Sequence, residues 1–251
     1  MQFHLTHHLC PSRKSDLWRW HLRQLADRFR IFNGKRILSI ASDANTFSLR
    51  EVLNYSQSLG LEWTAHQQVR NLRRMGEHQS WSGLMRLLEP QHLGVDDAVF
   101  YCHSKGVTHP GNEAPTIWSS VMYEAALDYI PVVIDHFRRD YAFTGSIKGT
   151  REKFFGGPDV DWCYAGTFFW WKPSIVGDKH RQVKPRYHGL EMWPGESFPF
   201  EKCGDLFTPP GLGVDDGCVQ GAPYSVDIWR NIYLPQFDEW KRANAHFRST
   251  L

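Results

Sequence analysis

At 251 residues with 41% hydrophobic side chains, the chain suits one sizeable α/β domain and is short for two. Its formal net charge of +2 argues against a nucleic-acid binder that relies on a strong basic field, and leaves room for a local basic patch only. The five cysteines are odd in number, widely spaced and free of any CxxC, which argues against a disulfide framework or structural zinc and fits reduced thiols.

Met1 to His8 lack the apolar core of a signal peptide, and no run of 18 apolar residues occurs. The expected location is therefore cytoplasmic, without a transmembrane segment, and peripheral attachment at the inner face of a membrane stays open. The 11 Trp and 16 Phe supply either an aromatic core or platforms on which sugar rings stack, and composition does not separate the two.

Residues 3–9 read as a short strand ending at Cys10-Pro11. A helix is expected from Asp16, with Ser15 as N-cap and Trp18, Leu22, Leu25, Phe29 and Phe32 on its apolar face, stopped by Asn33-Gly34. Arg36 to Ala41 reads as a buried strand ending at Ser42-Asp43. Ser48 and Glu51 form a capping box that opens a helix running to Gly60. Leu61 to Val69 is a weaker strand, Ser80 to Leu88 a helix bounded by Pro90, and Asp97 to Cys102 a strand that runs into His103-Ser104-Lys105-Gly106. Strands separated by helices predict a mainly parallel sheet flanked by helices. Ligands of such sheets bind beyond the carboxyl ends of the strands, which places Cys10-Pro11, Asp43, Asn71 and His103 to Gly106 on one rim.

The second half is less regular. Residues 116–129 look helical, Pro131 interrupts, and a short helix through Val133 to Phe137 follows. Trp162 to Trp171 reads as one aromatic strand halted by Lys172-Pro173. The Gly and Pro content of residues 172–224 predicts long loops, and a final amphipathic helix covers Val226 to Ala245 with a break near Pro235. With neither repeat nor linker, a single domain over residues 1–251 is expected.

Several residues have chemistry suited to such a rim. Lys105 offers a point charge, His103 a donor, and Gly106 close backbone approach, which together suit a departing diphosphate. Asp159-Val160-Asp161 is a literal Asp-x-Asp, the carboxylate pattern of hard divalent cations, but it precedes a strand rather than ending one. Asp96-Asp97 reads as a solvated turn, and Asp215-Asp216 as a poor metal candidate. Glu191, beside Trp193, suits a general base in a partly desolvated cleft, with Glu196 in reserve. The 13 His show no zinc-ligand spacing, and His7-His8 should point to opposite faces of a strand.

Four stretches then occur in order: Phe32 to Arg36, Phe100 to His109, Tyr164 to Trp171, and Glu191-Met192-Trp193-Pro194-Gly195. Together they resemble a little-characterised group of bacterial and viral glycosyltransferase-like proteins with a GT-A-like, nucleotide-sugar-binding α/β fold, over residues 3–210. The resemblance implies a hexosyltransferase-type enzyme that moves a sugar from a nucleotide-diphosphate sugar to a glycan or glycolipid acceptor, in synthesis of a surface polysaccharide or another glycoconjugate. It implies donor contacts from Cys10, Pro11, Asp43, Asn71, Arg74, Ser104, Gly106, Gly166 and Thr167, and acceptor contacts from Trp170 and Trp193. Catalysis falls to Glu191 as base, with His103 and Lys105 on the diphosphate. GT-A enzymes usually end the fourth strand with a metal-binding acidic motif, and His103-Ser104-Lys105 stands there instead. Metal-free catalysis is therefore preferred, with Mn²⁺ or Mg²⁺ held by other carboxylates as the alternative. A non-catalytic carbohydrate-binding module and a sugar-nucleotide-processing enzyme on the same sheet are the rival readings.

Overall fold

The computed structural model describes residues 1–107, 111–150, 160–210 and 224–249. The chain divides into two compact units: Met1–Pro110 with Trp171–Leu190, and Gly111–Trp170 with Glu191–Leu251.

The first unit is a four-stranded parallel sheet in the order β3-β2-β1-β4, from β1 (Phe3–Leu9), β2 (Arg36–Ser42), β3 (Ala65–Arg70) and β4 (Ala98–His103). The helices α1 (Leu17–Ala26), α2 (Leu49–Ser58) and α3 (His78–Leu88) connect them. The α/β class with a mainly parallel sheet is thus as expected. β1, β2 and β4 are buried almost throughout, as sheets covered on both faces require. His7 and His8 alternate as predicted: His8 Nδ1 meets Ser80 Oγ of α3 at 2.7 Å, and His7 Nδ1 meets Cys102 while its ring stacks on Trp63.

The capping box forms as read. Ser48 Oγ accepts from Glu51 N–H, and the Glu51 carboxylate accepts from Ser48 N–H. The first helix is shorter than its apolar spacing suggested. It ends at Ala26, and Phe29 and Phe32 stay buried through a separate 3-10 turn at Phe29–Ile31. Asp97 is not a solvated turn residue. It is 8% exposed and accepts from Gln2 N–H, Gly94 N–H and the His4 ring, which holds the amino-terminal edge of β1 to β4.

In the second unit, β5 (Phe143–Gly145) lies between β8 (Phe169–Trp171) and β9 (Cys203–Asp205), parallel to β9. A separate antiparallel pair joins β6 (Lys148–Thr150) to β7 (Trp162–Tyr164). Three expectations change here. The break expected at Pro131 falls at Tyr129: α4 (Ala114–Tyr123) and a π turn at Glu124–Asp128 end there, and α5 (Ile130–Arg138) leaves at a bend of 65° with Pro131 in its first turn, where the missing N–H costs nothing. The aromatic run is two strands, parted by a turn in which Gly166 and Thr167 have φ of 98° and 55°. Residues 172–205 are largely ordered elements, including α6 (Pro173–Val176), α7 (Gly189–Ser197) and β9, because Pro173 starts a helix and Leu190 to Trp193 bury an apolar turn. Pro235 likewise opens α8 (Leu234–Ala243), after Val226–Ile228 and a π turn at Trp229–Tyr233. Thr108, His109, Asp159, Asp215, Asp216 and Cys218 lie outside the described residues.

Candidate functional site

Parallel register brings the carboxyl ends of four strands level. Leu9 pairs with Ile40, His8 with His103, and Ser42 with Arg70. The residues that leave these ends then bond to one another. Ser104 N–H donates to His8 C=O at 3.0 Å, and Cys10 N–H donates to Ser104 Oγ at 2.9 Å, so the β1 and β4 exits are fastened together. Asn71 N–H donates to Ser42 C=O, and Asn71 Nδ2 donates to Asp43 Oδ2 at 2.9 Å and approaches Cys10 Sγ at 3.8 Å. Pro11 C=O accepts from Phe47 N–H, which folds the turn after β1 back over the start of α2. The structure therefore gathers Cys10, Pro11, Asp43, Asn71 and Ser104 on one rim, and Arg74 is exposed on the 3-10 turn that follows Asn71.

Each oxygen of Asp43 takes one hydrogen bond from within the protein, which leaves lone pairs on both. Its Oδ1 accepts from Asn45 N–H at 2.7 Å and its Oδ2 from Asn71, so the carboxylate braces the rim. It also fixes the Asn71 amide, since Nδ2 must face Asp43 and the carbonyl Oδ1 faces away. Sequence reading gave Asp43 a donor contact; the geometry adds that it orients the Asn71 amide.

The β4 exit is held by two residues that sequence reading missed. Glu77, 9% exposed, accepts from the Tyr101 hydroxyl at 3.1 Å and lies 3.4 Å from His103 Nδ1. Burial, with the neighbouring Glu77 charge behind it, raises the Tyr101 phenol well above its ordinary range and keeps it a neutral donor. His21 of α1 donates from Nε2 to Lys105 C=O at 2.9 Å, and burial pushes its imidazole down to about 4. Lys105 is half-buried, and Gly106 has φ of 83°, a conformation that favours glycine. Neither Glu77 nor His21 belongs to a motif; their roles come from where α3 and α1 pack.

In the second unit the site residues surround the Gly166-Thr167 turn. Glu191, 4% exposed in the first turn of α7, accepts from Gly166 N–H through Oε1 at 2.7 Å. A Cβ on Gly166 would stand 2.9 Å from Met122 Sδ and require that side chain to shift, and the φ of 98° favours glycine there. Thr167 is fully buried, which assigns Gly166 and Thr167 to the turn rather than to a donor sugar. Trp170 and Trp193 are also corrected. A stacking platform needs an open ring face, and both rings are 0% exposed. Trp170 Nε1 donates to Ala126 C=O, and Trp193 packs edge-on against Phe143.

Among the described residues no group of three or more His, Cys, Asp or Glu is placed to hold a metal, and Cys10, Cys102, Cys163 and Cys203 form no disulfide with one another. No single described helix is long and apolar enough to cross a membrane.

No protein-family model matches the chain, and no curated protein matches it. Among solved structures, the chain is similar to a 4-diphosphocytidyl-2C-methyl-D-erythritol synthase at 8% identity and a TM-score of 0.42, over 79% of this chain and 88% of the other.

Proposed function

We propose that the chain is a glycosyltransferase whose nucleotide-sugar donor lies along the carboxyl-end rim of the parallel sheet. One observation carries the reading: Cys10, Asp43, Asn71 and Ser104 leave different strands and are bonded into a single edge that ends in His103, Lys105 and Gly106. Asn71 Oδ1 is the acceptor that such an edge presents to a nucleobase N–H. Arg74 serves ribose or phosphate. In this reading an acceptor hydroxyl attacks the anomeric carbon, the bond to the diphosphate oxygen breaks, and Lys105 and His103 take up the charge of the leaving diphosphate. The hydroxyl proton passes to a general base, and the reaction inverts. A divalent ion at the end of β4 would meet the Lys105 ammonium rather than a carboxylate pair, so transfer is metal-independent in this reading.

Glu191 has a specific competing role. Its burial and its bond to Gly166 N–H favour a residue that positions the turn. Glu191→Gln keeps an oxygen for that bond and removes the base. Loss of turnover with donor binding retained supports the base; wild-type rates assign Glu191 to positioning alone.

The reading itself is tested by thermal shift against UDP, GDP, dTDP and CDP, each with EDTA and with Mn²⁺. A ligand that binds only the folded state raises its melting temperature by mass action. One nucleotide should stabilise the protein equally under both conditions. No shift with any nucleotide would overturn the reading, and a shift only with Mn²⁺ would restore the metal-dependent alternative.

A further inference from the structure

We propose that β3 is the interface strand of a homodimer, in which two copies of the chain pair their β3 edges antiparallel about a two-fold axis at His66. The inference is independent of the donor reading, and none of its residues is a donor contact. β3 is the outer strand of the first unit's sheet. It pairs with β2 on one side, and among the described residues no strand pairs with its other side. An open edge presents a row of backbone N–H and C=O groups, and native proteins shield such edges with proline, lysine, a bulge or a covering element. β3 has none of the first three. Its register with β2 runs unbroken from Ile37 with Ala65 to Ser42 with Arg70, and Ala65-His66-Gln67-Gln68-Val69 contains no proline, lysine or carboxylate. A strand left in this way suits pairing with another chain.

The charges at its two ends select a second copy as that chain. Glu62 stands exposed at the entrance to β3 and Arg70 exposed at its end, and among the described residues neither side chain has an ion-pair partner. Eight positions separate them, about 27 Å along an extended chain, so they do not meet within one strand. Antiparallel self-pairing reverses one strand against the other and brings Glu62 of each copy to Arg70 of the other, twice by symmetry. Parallel pairing would set like charges together. The midpoint of this register is His66, which lies opposite itself, while Gln68 lies opposite Thr64, polar on polar, and all three positions are exposed. A foreign strand would have to supply this order of charges, whereas a second copy carries it. One six-residue edge buries less area than an obligate interface, so the dimer forms and dissociates with concentration.

Sedimentation velocity of the intact protein from about 5 to 500 µM tests the proposal, and a reversible monomer–dimer equilibrium should appear in that range. Arg70→Glu turns two attractive contacts into repulsive ones and should weaken dimerisation about tenfold, as should Glu62→Arg. The double variant Glu62→Arg with Arg70→Glu remakes the pairs with their signs exchanged and should return to within about threefold of wild type. Circular dichroism melts confirm that the variants fold. Disulfide formation reads the register. Opposed residues of antiparallel strands have Cα atoms about 4.5–5.5 Å apart, within reach of a disulfide, so His66→Cys should oxidise to a covalent dimer on a non-reducing gel. Gln68→Cys, about 14 Å along the strand from its counterpart, should cross-link no more than wild type, whose own cysteines set the background. A monomer at every concentration overturns the proposal and leaves the edge to a different partner. So does a dimer that ignores both charge reversals, a double variant weaker than either single one, or equal cross-linking at positions 66 and 68.

Discussion

Lowering the pH from 7 to 5 should destabilise the first unit through two histidines in its interior. His8 and His21 are 5% and 0% exposed, and burial pushes both imidazoles down to about 4. His8 is fixed as an acceptor: Gln67 Nε2 donates to Ser39 Oγ, Ser39 donates to Ser80 Oγ, and the Ser80 hydroxyl is left to donate to His8 Nδ1. Its protonation breaks the chain at its last link. In the unfolded chain both titrate near 6.5, so between 6.5 and 4 the unfolded state binds more protons and stability falls as pH falls. At pH 5 the binding polynomials differ by a factor of about 30 per histidine, which is about 2 kcal/mol each, and near full protonation about 3.4 kcal/mol each. The order of magnitude is a large share of a typical folding free energy. Urea unfolding followed by tryptophan fluorescence at pH 7, 6 and 5 measures the slope. His21→Gln, which can still donate to Lys105 C=O, should remove only its own share, since His7 is also held well below the usual imidazole range by burial and His136 is pushed down to about 4. A stability independent of pH over this range, or an unchanged slope in His21→Gln, would refute the reasoning.

Other perturbations test separate parts of the structure. Ser48→Ala removes one half of the capping box and should cost about 1 kcal/mol, read as a lower urea midpoint with an unchanged m-value. Gly195→Ala places a Cβ 1.9 Å from Trp162 C=O, a backbone atom that cannot swing aside, and should lower the melting temperature by an overpacking cost of about 1–3 kcal/mol. Asp43→Ala frees the Asn71 amide to turn. Nucleotide affinity should fall roughly tenfold by calorimetry, and the melting temperature of the unliganded protein should fall by several degrees, since each lost hydrogen bond to a charged group is worth about 1.5–3 kcal/mol.

The first half was legible because its signals are local. Alternation of buried strands with capped helices sets a parallel sheet, and the strand ends follow to within a residue or two at Leu9, Ser42 and His103. The second half was not, because its punctuation has two meanings. Pro131, Pro173 and Pro235 each look like breaks and each occupies the first turn of a helix, where proline's fixed φ is an advantage. Gly166 inside the aromatic run marks the point where one strand becomes two, but its neighbour Thr167 shares the left-handed conformation, which no propensity would place on a β-branched residue. The buried Glu191 carboxylate supplies the tertiary hydrogen bond that anchors this turn.

The candidate site was legible in the same uneven way. Strand topology locates a rim, and residue type says which side chains could contact a ligand there, but neither says which atoms the fold has already used. Asp43 is the sharpest instance. An acidic residue at a strand end looks like a ligand contact, yet both of its oxygens accept from within the protein, and its influence passes to the orientation of Asn71. Trp170 and Trp193 show the opposite failure. A ring is assigned to sugar stacking by its chemistry, and the same apolar area drives it into the core instead. What recovers function from such a chain is therefore a second accounting after residue type: which donors and acceptors remain once the fold's own hydrogen bonds are drawn. On the rim, that accounting points to Asn71 Oδ1, an acceptor turned away from Asp43. The Asp43→Glu variant separates the two assignments, because a direct ligand contact by Asp43 tolerates a longer carboxylate, whereas an orienting role requires an acceptor at the same reach. Asp43→Asn should retain binding if its Oδ1 accepts from Asn71, and Asp43→Glu, one methylene too long, should not.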